Sequence, residues 1–181
     1  NQFLWSPEIE AVLHDKITKP PHPDFRMVLL LPAKPNSGAD DTRGMLGQLV
    51  EADDDRGHLL ACTLYARSGN LRDPVYVHAK VAVVDDEWLT LGSANLNEHS
   101  LFNDTEMNVV SHDPKLARET RRRLFAEHLE LPIDDVPVDS TEAIDELWKP
   151  ISKEQLELRD AGRPLTHRLV RVPQSLWLGS D

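Results

Sequence analysis

Eleven residues near the middle of the chain constrain its fold most: Val75-Tyr76-Val77-His78-Ala79-Lys80-Val81-Ala82-Val83-Val84-Asp85. β-branched residues dominate the run, which favours a strand over residues 75–84. Side chains alternate along a strand, so Val77, Val81 and Val83 share a core-facing side and His78 and Lys80 share the other. A second strand over residues 87–91 follows at once, so Asp85-Asp86 reads as a tight hairpin turn. A hairpin with one apolar side needs a larger sheet and covering helices to bury it.

The flanking segments supply both. Ile9, Val12 and Leu13 keep helical spacing over residues 7–16, with Ser6 as N-cap and Pro7 at the first helical position. Strands are expected over residues 25–31, 58–65 and 106–110, and helices over residues 42–54 and 114–129. Residues 33–41, 67–74 and 93–105 read as loop, turn and loop. Phe3, Leu4 and Trp5 look like the end of a buried strand entered midway, so the chain reads as cut from something longer. After Leu131 the composition shifts to a linker with Pro132, Asp134, Asp135 and Pro137. Helical patterns follow over residues 141–148 and 152–160, then an extended run to Val172. The expectation is an α/β lobe over residues 1–131 with a mixed sheet flanked by helices. A helical and extended tail over residues 132–181 packs on it through Leu147, Trp148, Leu156 and Trp177.

Charge narrows the function. The chain carries 20 Lys and Arg against 31 Asp and Glu, a formal net charge of -11. A domain that holds nucleic acid through phosphates needs a basic stripe, and this balance argues against one. The cluster Arg118, Arg121, Arg122 and Arg123 sits among Glu119 and Glu127 and reads as a solvated helix face. Asp53-Asp54-Asp55 reads as a frayed helix end. The single cysteine, Cys62, lies in an apolar run and reads as a small core residue. No apolar run is long enough to span a bilayer as a helix.

The face that pairs His78 with Lys80 carries the chemistry. An incoming phosphodiester needs one group to attack or to protonate and another to neutralise developing charge. The hairpin returns Gly92-Ser93-Ala94-Asn95 beside that face. There Gly92 permits close backbone approach, and Ser93 and Asn95 offer a hydroxyl and an amide to phosphate oxygens. Glu106 opens the next strand and could accept a hydrogen bond from the His78 ring, fixing its tautomer. Trp5 and Trp88 read as core, His99 as a surface residue of the site loop, and the remaining histidines as scattered.

The spacing H-x-K-x4-D followed by G-S-x-N, here His78, Lys80, Asp85, Gly92, Ser93 and Asn95, resembles the signature of the phospholipase D superfamily. Residues 92–100 and 103–108 are similar to the second-motif region of two-lobed members, cardiolipin synthase-like enzymes among them. Asn1-Gln2-Phe3 is similar to the strand that opens their second lobe. The resemblance spans roughly residues 1–130. It implies a two-step transfer through a phosphohistidine at a site shared by two motifs. His78 would then be the general acid/base, Lys80 a phosphate ligand and Asp85 structural or electrostatic support, with no metal or cofactor required. The departure is that the chain carries one motif: His14-Asp15-Lys16 and His112-Asp113-Pro114-Lys115 have the wrong spacing.

The partner implied is a first, N-terminal lobe or a second copy of this chain, acting on phospholipid at a membrane surface. Two other readings stand beside it, a homodimeric phosphodiesterase or nuclease and a lobe that pairs without catalysing. Headgroup, acceptor and compartment stay open, with a cytoplasmic or peripheral-membrane setting favoured.

Overall fold

The computed structural model of the protein describes residues 4–33 and 39–173. The expected features at Phe3 and Trp177, part of the 33–41 loop and the Trp5 side chain lie outside the described residues. A short strand, β1 (Leu4–Trp5), leads into helix α1 (Pro7–Thr18), where the Ser6 side chain accepts the Ile9 N–H as its N-cap. Strand β2 (Met27–Leu30) and helix α2 (Ala39–Asp53) follow, then strand β3 (Leu59–Ser68).

β3 divides two cores, which explains its unbroken apolar start. Its odd residues Leu59 and Ala61 pack with Leu4, Ile17, Met45 and Leu49, covered by α1 and α2. Its even residues Leu60, Cys62 and Leu64 pack with Phe125, Leu129 and Trp148 on the opposite side. Burial pushes the Cys62 thiol up to about 12, so it stays protonated and inert.

The acidic run before β3 is no frayed end. The buried Asp53 carboxylate accepts the N–H groups of Gly57, His58 and Leu59 at 3.0, 2.8 and 3.2 Å. Asp54 and Asp55, at φ 47° and 56°, turn the chain so that these donors converge. A carboxylate that caps three amides offsets the cost of its own burial.

β3 lies parallel to β2 from Met27↔Leu59 to Leu30↔Cys62. It then pairs antiparallel with β4 (Leu71–Pro74), from Tyr65↔Pro74 to Ser68↔Leu71. The expected turn over residues 67–74 is therefore a hairpin, with Gly69 at φ 55° at its tip. The expected single strand over residues 75–84 is interrupted, and only β5 (Val81–Val84) joins a ladder. Val77 is buried as expected, whereas Val83 is half-buried and Val81 is 36% exposed.

β5 pairs antiparallel with β6 (Trp88–Gly92), through a turn with Asp85 and Asp86 at φ 53° and 56°. Strand β7 (Leu96–Asn97) runs parallel to β1, and a π-helical turn, His99–Asn103, follows. Strand β8 (Asn108–Ser111) completes the order β5-β6-β8. Helix α3 (Pro114–Leu129) matches its expected bounds, with Asp113 accepting the Lys115 and Leu116 N–H groups as N-cap.

The arginines of α3 differ from the solvated face expected. Arg123 does pair with Glu119 on the surface. Arg121 is buried, and its guanidinium forks onto Asp86 at 2.6 and 2.7 Å and onto the Val138 carbonyl at 2.6 Å. Arg122 donates to the carbonyls of Ile133 and Val136. The helix turns these donors inward because the connection after it leaves carbonyls without ladder partners.

That connection enters helix α4 (Ser140–Ala143), a π-helical turn (Ile144–Trp148) and helix α5 (Lys149–Asp160). The buried Trp148 ring sits 4.6 Å from that of Phe125. Strand β9 (Leu169–Arg171) then pairs antiparallel with β3 from Cys62 to Leu64, so the tail contributes a strand to the main sheet. Parallel and antiparallel pairs together make this a mixed α/β fold with helices on its faces. Among the described residues no helix is long and apolar enough to cross a membrane.

Two measurements probe these ties. The Asp145 carboxyl is held at about 2 by hydrogen bonds from Arg26 and Lys149. Its contribution is present above its unfolded value of 3.8 and is lost as pH falls toward 2. Acid unfolding of Asp145→Asn should therefore start from lower stability at pH 5 and show a shallower slope between these values. Arg121→Ala leaves the Asp86 carboxylate only the longer, 3.5 Å pair with the exposed Arg118 and should cost about 3 kcal/mol in denaturant unfolding. The pair Arg121→Met with Asp86→Asn should cost less, since no buried charge remains.

Candidate active site

Residues 75–80 carry the chain from one sheet to the next. The Val75 N–H donates to Leu64 O at 2.8 Å, the last link to β3. The Gly92 N–H donates to Lys80 O at 3.1 Å, the first link to β6. Between these anchors the backbone belongs to no strand. The side chains are accordingly freed from strict alternation: His78 is exposed while Lys80 is only 7% exposed. The His78 ring lies 6.2 Å from that of Tyr76, inclined by 27°.

Lys80 folds back on its own segment, and its Nζ donates to His78 O at 2.8 Å. Burial lowers the Lys80 pKa, while the nearby Glu106 carboxylate acts in the opposite sense. Glu106 lies just ahead of β8 and accepts a hydrogen bond from Ser100 Oγ at 2.7 Å. The hydroxyls of Ser93 and Ser100, and the Lys80 charge, hold its carboxyl below the usual range. Ser93 is fixed in turn. Its N–H donates to Met107 O at 3.0 Å, and its Oγ accepts the Met107 N–H at 3.0 Å.

Lys80, Ser93 and Glu106 thus converge from three segments, with His78 beside them through its carbonyl. Among the described contacts, Glu106 meets Ser93, Ser100 and Lys80, and the expected bond from the His78 ring is not one of them. Asn95 is 9% exposed and partnered, buried behind the loop. Asp85 stands exposed on the hairpin turn, roughly 15 Å along the strand from Lys80. Its neighbour Asp86 makes the structural clamp to Arg121. His99 is exposed, as expected of the site loop.

Sequence reasoning passed over Ser100 and Asn108. Ser100 is buried by the π-helical turn, and its N–H is held by Asn97 Oδ1 at 2.8 Å. Asn108 braces the loop, accepting the Ala94 N–H at 3.1 Å and donating to Thr90 Oγ1 at 3.4 Å. Its only signal was an amide opposite the glycine of the loop. At Gly92 a Cβ would overlap both Asn108 Oδ1 and the Met107 carbonyl, so the close approach read from the sequence is a steric requirement. Among the described residues no three His, Cys, Asp or Glu side chains are grouped so as to hold a metal ion.

The family model described as Phospholipase D matches residues 51–136, a segment that contains every one of these groups. This segment belongs to the phospholipase D superfamily. Among its relatives is phospholipase D alpha 1 of Cynara cardunculus, 32% identical over 132 residues, which cover 62% of this chain and 16% of that protein. Phospholipase D1 of Schizosaccharomyces pombe is 38% identical over 77 residues, 33% of this chain and 6% of the relative. Cardiolipin synthase B of Escherichia coli K12 is 44% identical over 48 residues, 26% of this chain and 12% of the relative. The chain therefore matches a sixth or less of the length of these curated relatives.

Gly92→Ala tests the packing of the site loop. The overlap with backbone on β8 should cost about 1–3 kcal/mol in stability. Thermal unfolding should show the loss, with Gly44→Ala, inside α2 where a Cβ meets nothing and Ala is the better helix former, as a control that loses no stability.

Proposed function

We propose that this chain supplies one half of a phospholipase D-type active site that breaks the headgroup phosphodiester of a phospholipid at a membrane surface. The observation that carries this reading is the buried Lys80 beside Glu106, with Glu106 braced by Ser93 and Ser100 and the exposed His78 on the same segment as Lys80. The names of its relatives, phospholipase D and cardiolipin synthase, support phospholipid as the substrate class.

In the first step a histidine of the partner motif attacks phosphorus. A P–N bond forms, the P–O bond to the headgroup breaks, and His78 gives its proton to the departing alkoxide. In the second step water or an alcohol attacks phosphorus. His78 takes its proton, the P–N bond breaks, and the attacking histidine is released. Lys80 and the Ser93 hydroxyl meet the non-bridging phosphate oxygens, where negative charge gathers. Glu106 keeps the Lys80 ammonium charged against its burial, and Asn95 supports the loop. Asp85 sets the hairpin turn.

The partner motif comes from a first lobe or from another copy of this chain. With a net charge of -11, the chain lacks the electrostatic footprint of a phosphate-tracking nuclease.

Headgroup release from phosphatidylcholine or phosphatidylglycerol vesicles, measured on the polypeptide as the cell makes it, tests the assignment. His78→Ala should lower the rate by about 10²–10⁴-fold, the range for a positioned acid/base. Lys80→Ala should fall by about 10²-fold or more. Wild-type rates in either variant, with folding intact, overturn the reading. Cleavage of DNA but not of lipid would assign the site to a nuclease.

A further inference from the structure

Two hydroxyls hold the Glu106 carboxylate among the described residues, and they differ in what else each can reach. Ser93 is exposed on the loop that leaves β6 next to Lys80. Its Oγ accepts the Met107 N–H at 3.0 Å and lies 3.5 Å from the Met107 carbonyl. A serine has one proton to give, so Ser93 must choose among Glu106, that carbonyl and an arriving phosphate. Ser100 is only 7% exposed, and its Oγ donates to Glu106 at 2.7 Å. Its burial keeps a phosphate away from that hydroxyl.

The local backbone aims the buried hydroxyl. Asn97 ends β7, and its Oδ1 accepts the Ser100 N–H at 2.8 Å. The Asp104 N–H donates to His99 O at 2.8 Å and closes a π-helical turn over residues 99–103. Such turns are rare and gather at functional sites. With both ends of the turn fixed by backbone donors, the Ser100 hydroxyl is kept on Glu106.

Glu106 in turn acts on Lys80, the charged group set against it in the site. A buried ammonium holds its charge better with a carboxylate close by, and loses that help if the carboxylate swings away. Ser93 cannot hold Glu106 and a phosphate oxygen with the same proton.

We propose that Ser100 is a positioning residue, which keeps the Glu106 carboxylate turned toward Lys80 while Ser93 gives its proton to the phosphate. Ser93 is then the hydroxyl that moves to substrate, and Ser100 the one that stays. This division of labour presupposes the proposed phosphoryl reaction, whereas the bond from Ser100 to Glu106 does not.

Turnover of phosphatidylglycerol vesicles by the polypeptide as the cell makes it separates the two serines. Ser100→Ala should lower kcat about tenfold, the size expected for a lost hydrogen bond to a charged group, and leave KM within about twofold. Ser93→Ala should raise KM as well, because it touches the phosphate. In a Glu106→Gln background, Ser100→Ala should cost no more than about a further twofold, since nothing is left for it to position. A tenfold loss in both backgrounds overturns the proposal. So does a raised KM or an unchanged kcat in Ser100→Ala, or an unchanged KM in Ser93→Ala.

The NMR carboxyl carbon shift of Glu106, followed as pH falls, needs no turnover. Ser100→Ala should move that titration up toward the ordinary carboxylate value, because a donor to the ionised form is gone. An unmoved titration overturns the proposal. A titration that moves, together with wild-type turnover in His78→Ala, would instead overturn the phosphoryl reading and leave the link from Ser100 to Glu106 intact.

Discussion

The guanidinium of Arg121 joins three parts of the molecule that share no ladder. It forks onto Asp86 at the β5–β6 turn and reaches the Val138 carbonyl of the tail. Its Cζ also lies over the Phe125 ring, 5.3 Å from the centroid, and that ring in turn packs on Trp148. Burying such a pair costs desolvation, and the return comes from bidentate geometry and the extra carbonyl acceptor. Arginine suits the place because its planar fork serves both the carboxylate and the ring, which a lysine ammonium would not. With that turn pinned to α3, the hairpin cannot shift register, and the Ser93 loop at its far end is held where Glu106 can meet it.

The chemistry of the site follows from a break in regular structure. Residues 75–80 leave the ladder of β3 before they reach that of β6, and this gap lets His78 stand outward while Lys80 turns in. In an uninterrupted strand the two would be equally exposed, and the ammonium would be solvated rather than set against Glu106. The lysine hydrogen bond to His78 O compensates for the ladder partner that this carbonyl does without. One side chain therefore serves as local brace and as fixed charge.

Helix α3 was legible to the residue, because Asp113, Pro114 and the helical period all mark the same bounds. So was the need for Gly92, which follows from a loop returning onto its neighbour strand. The break at 75–80 was not. Its β-branched residues favour extended backbone throughout, and which ladder each one joins is decided by β3 and β6, distant in sequence. The inward arginines and the Asp53 cap were misread for a similar reason. A charge run looks solvated until the backbone groups it satisfies are in place. Ser100 gave no signal, since only the π-helical turn aims its hydroxyl at Glu106.

The charge balance of the cluster bears on why one motif would be half a site. Lys80 is matched by Glu106, so the pair brings no net positive charge to an arriving phosphate. A phosphodiester is already anionic, and negative charge builds on its oxygens as phosphorus is attacked. Stabilising that build-up needs at least one cation beyond those already neutralised. The rest of the chain is acidic and its other inward arginines are committed to Asp86 and to backbone carbonyls. Under the proposed reading, the protonated His78 supplies one such cation in the first step, and the others arrive with the partner motif. Pairing with that motif would then complete the electrostatics of the reaction as well as its list of nucleophiles.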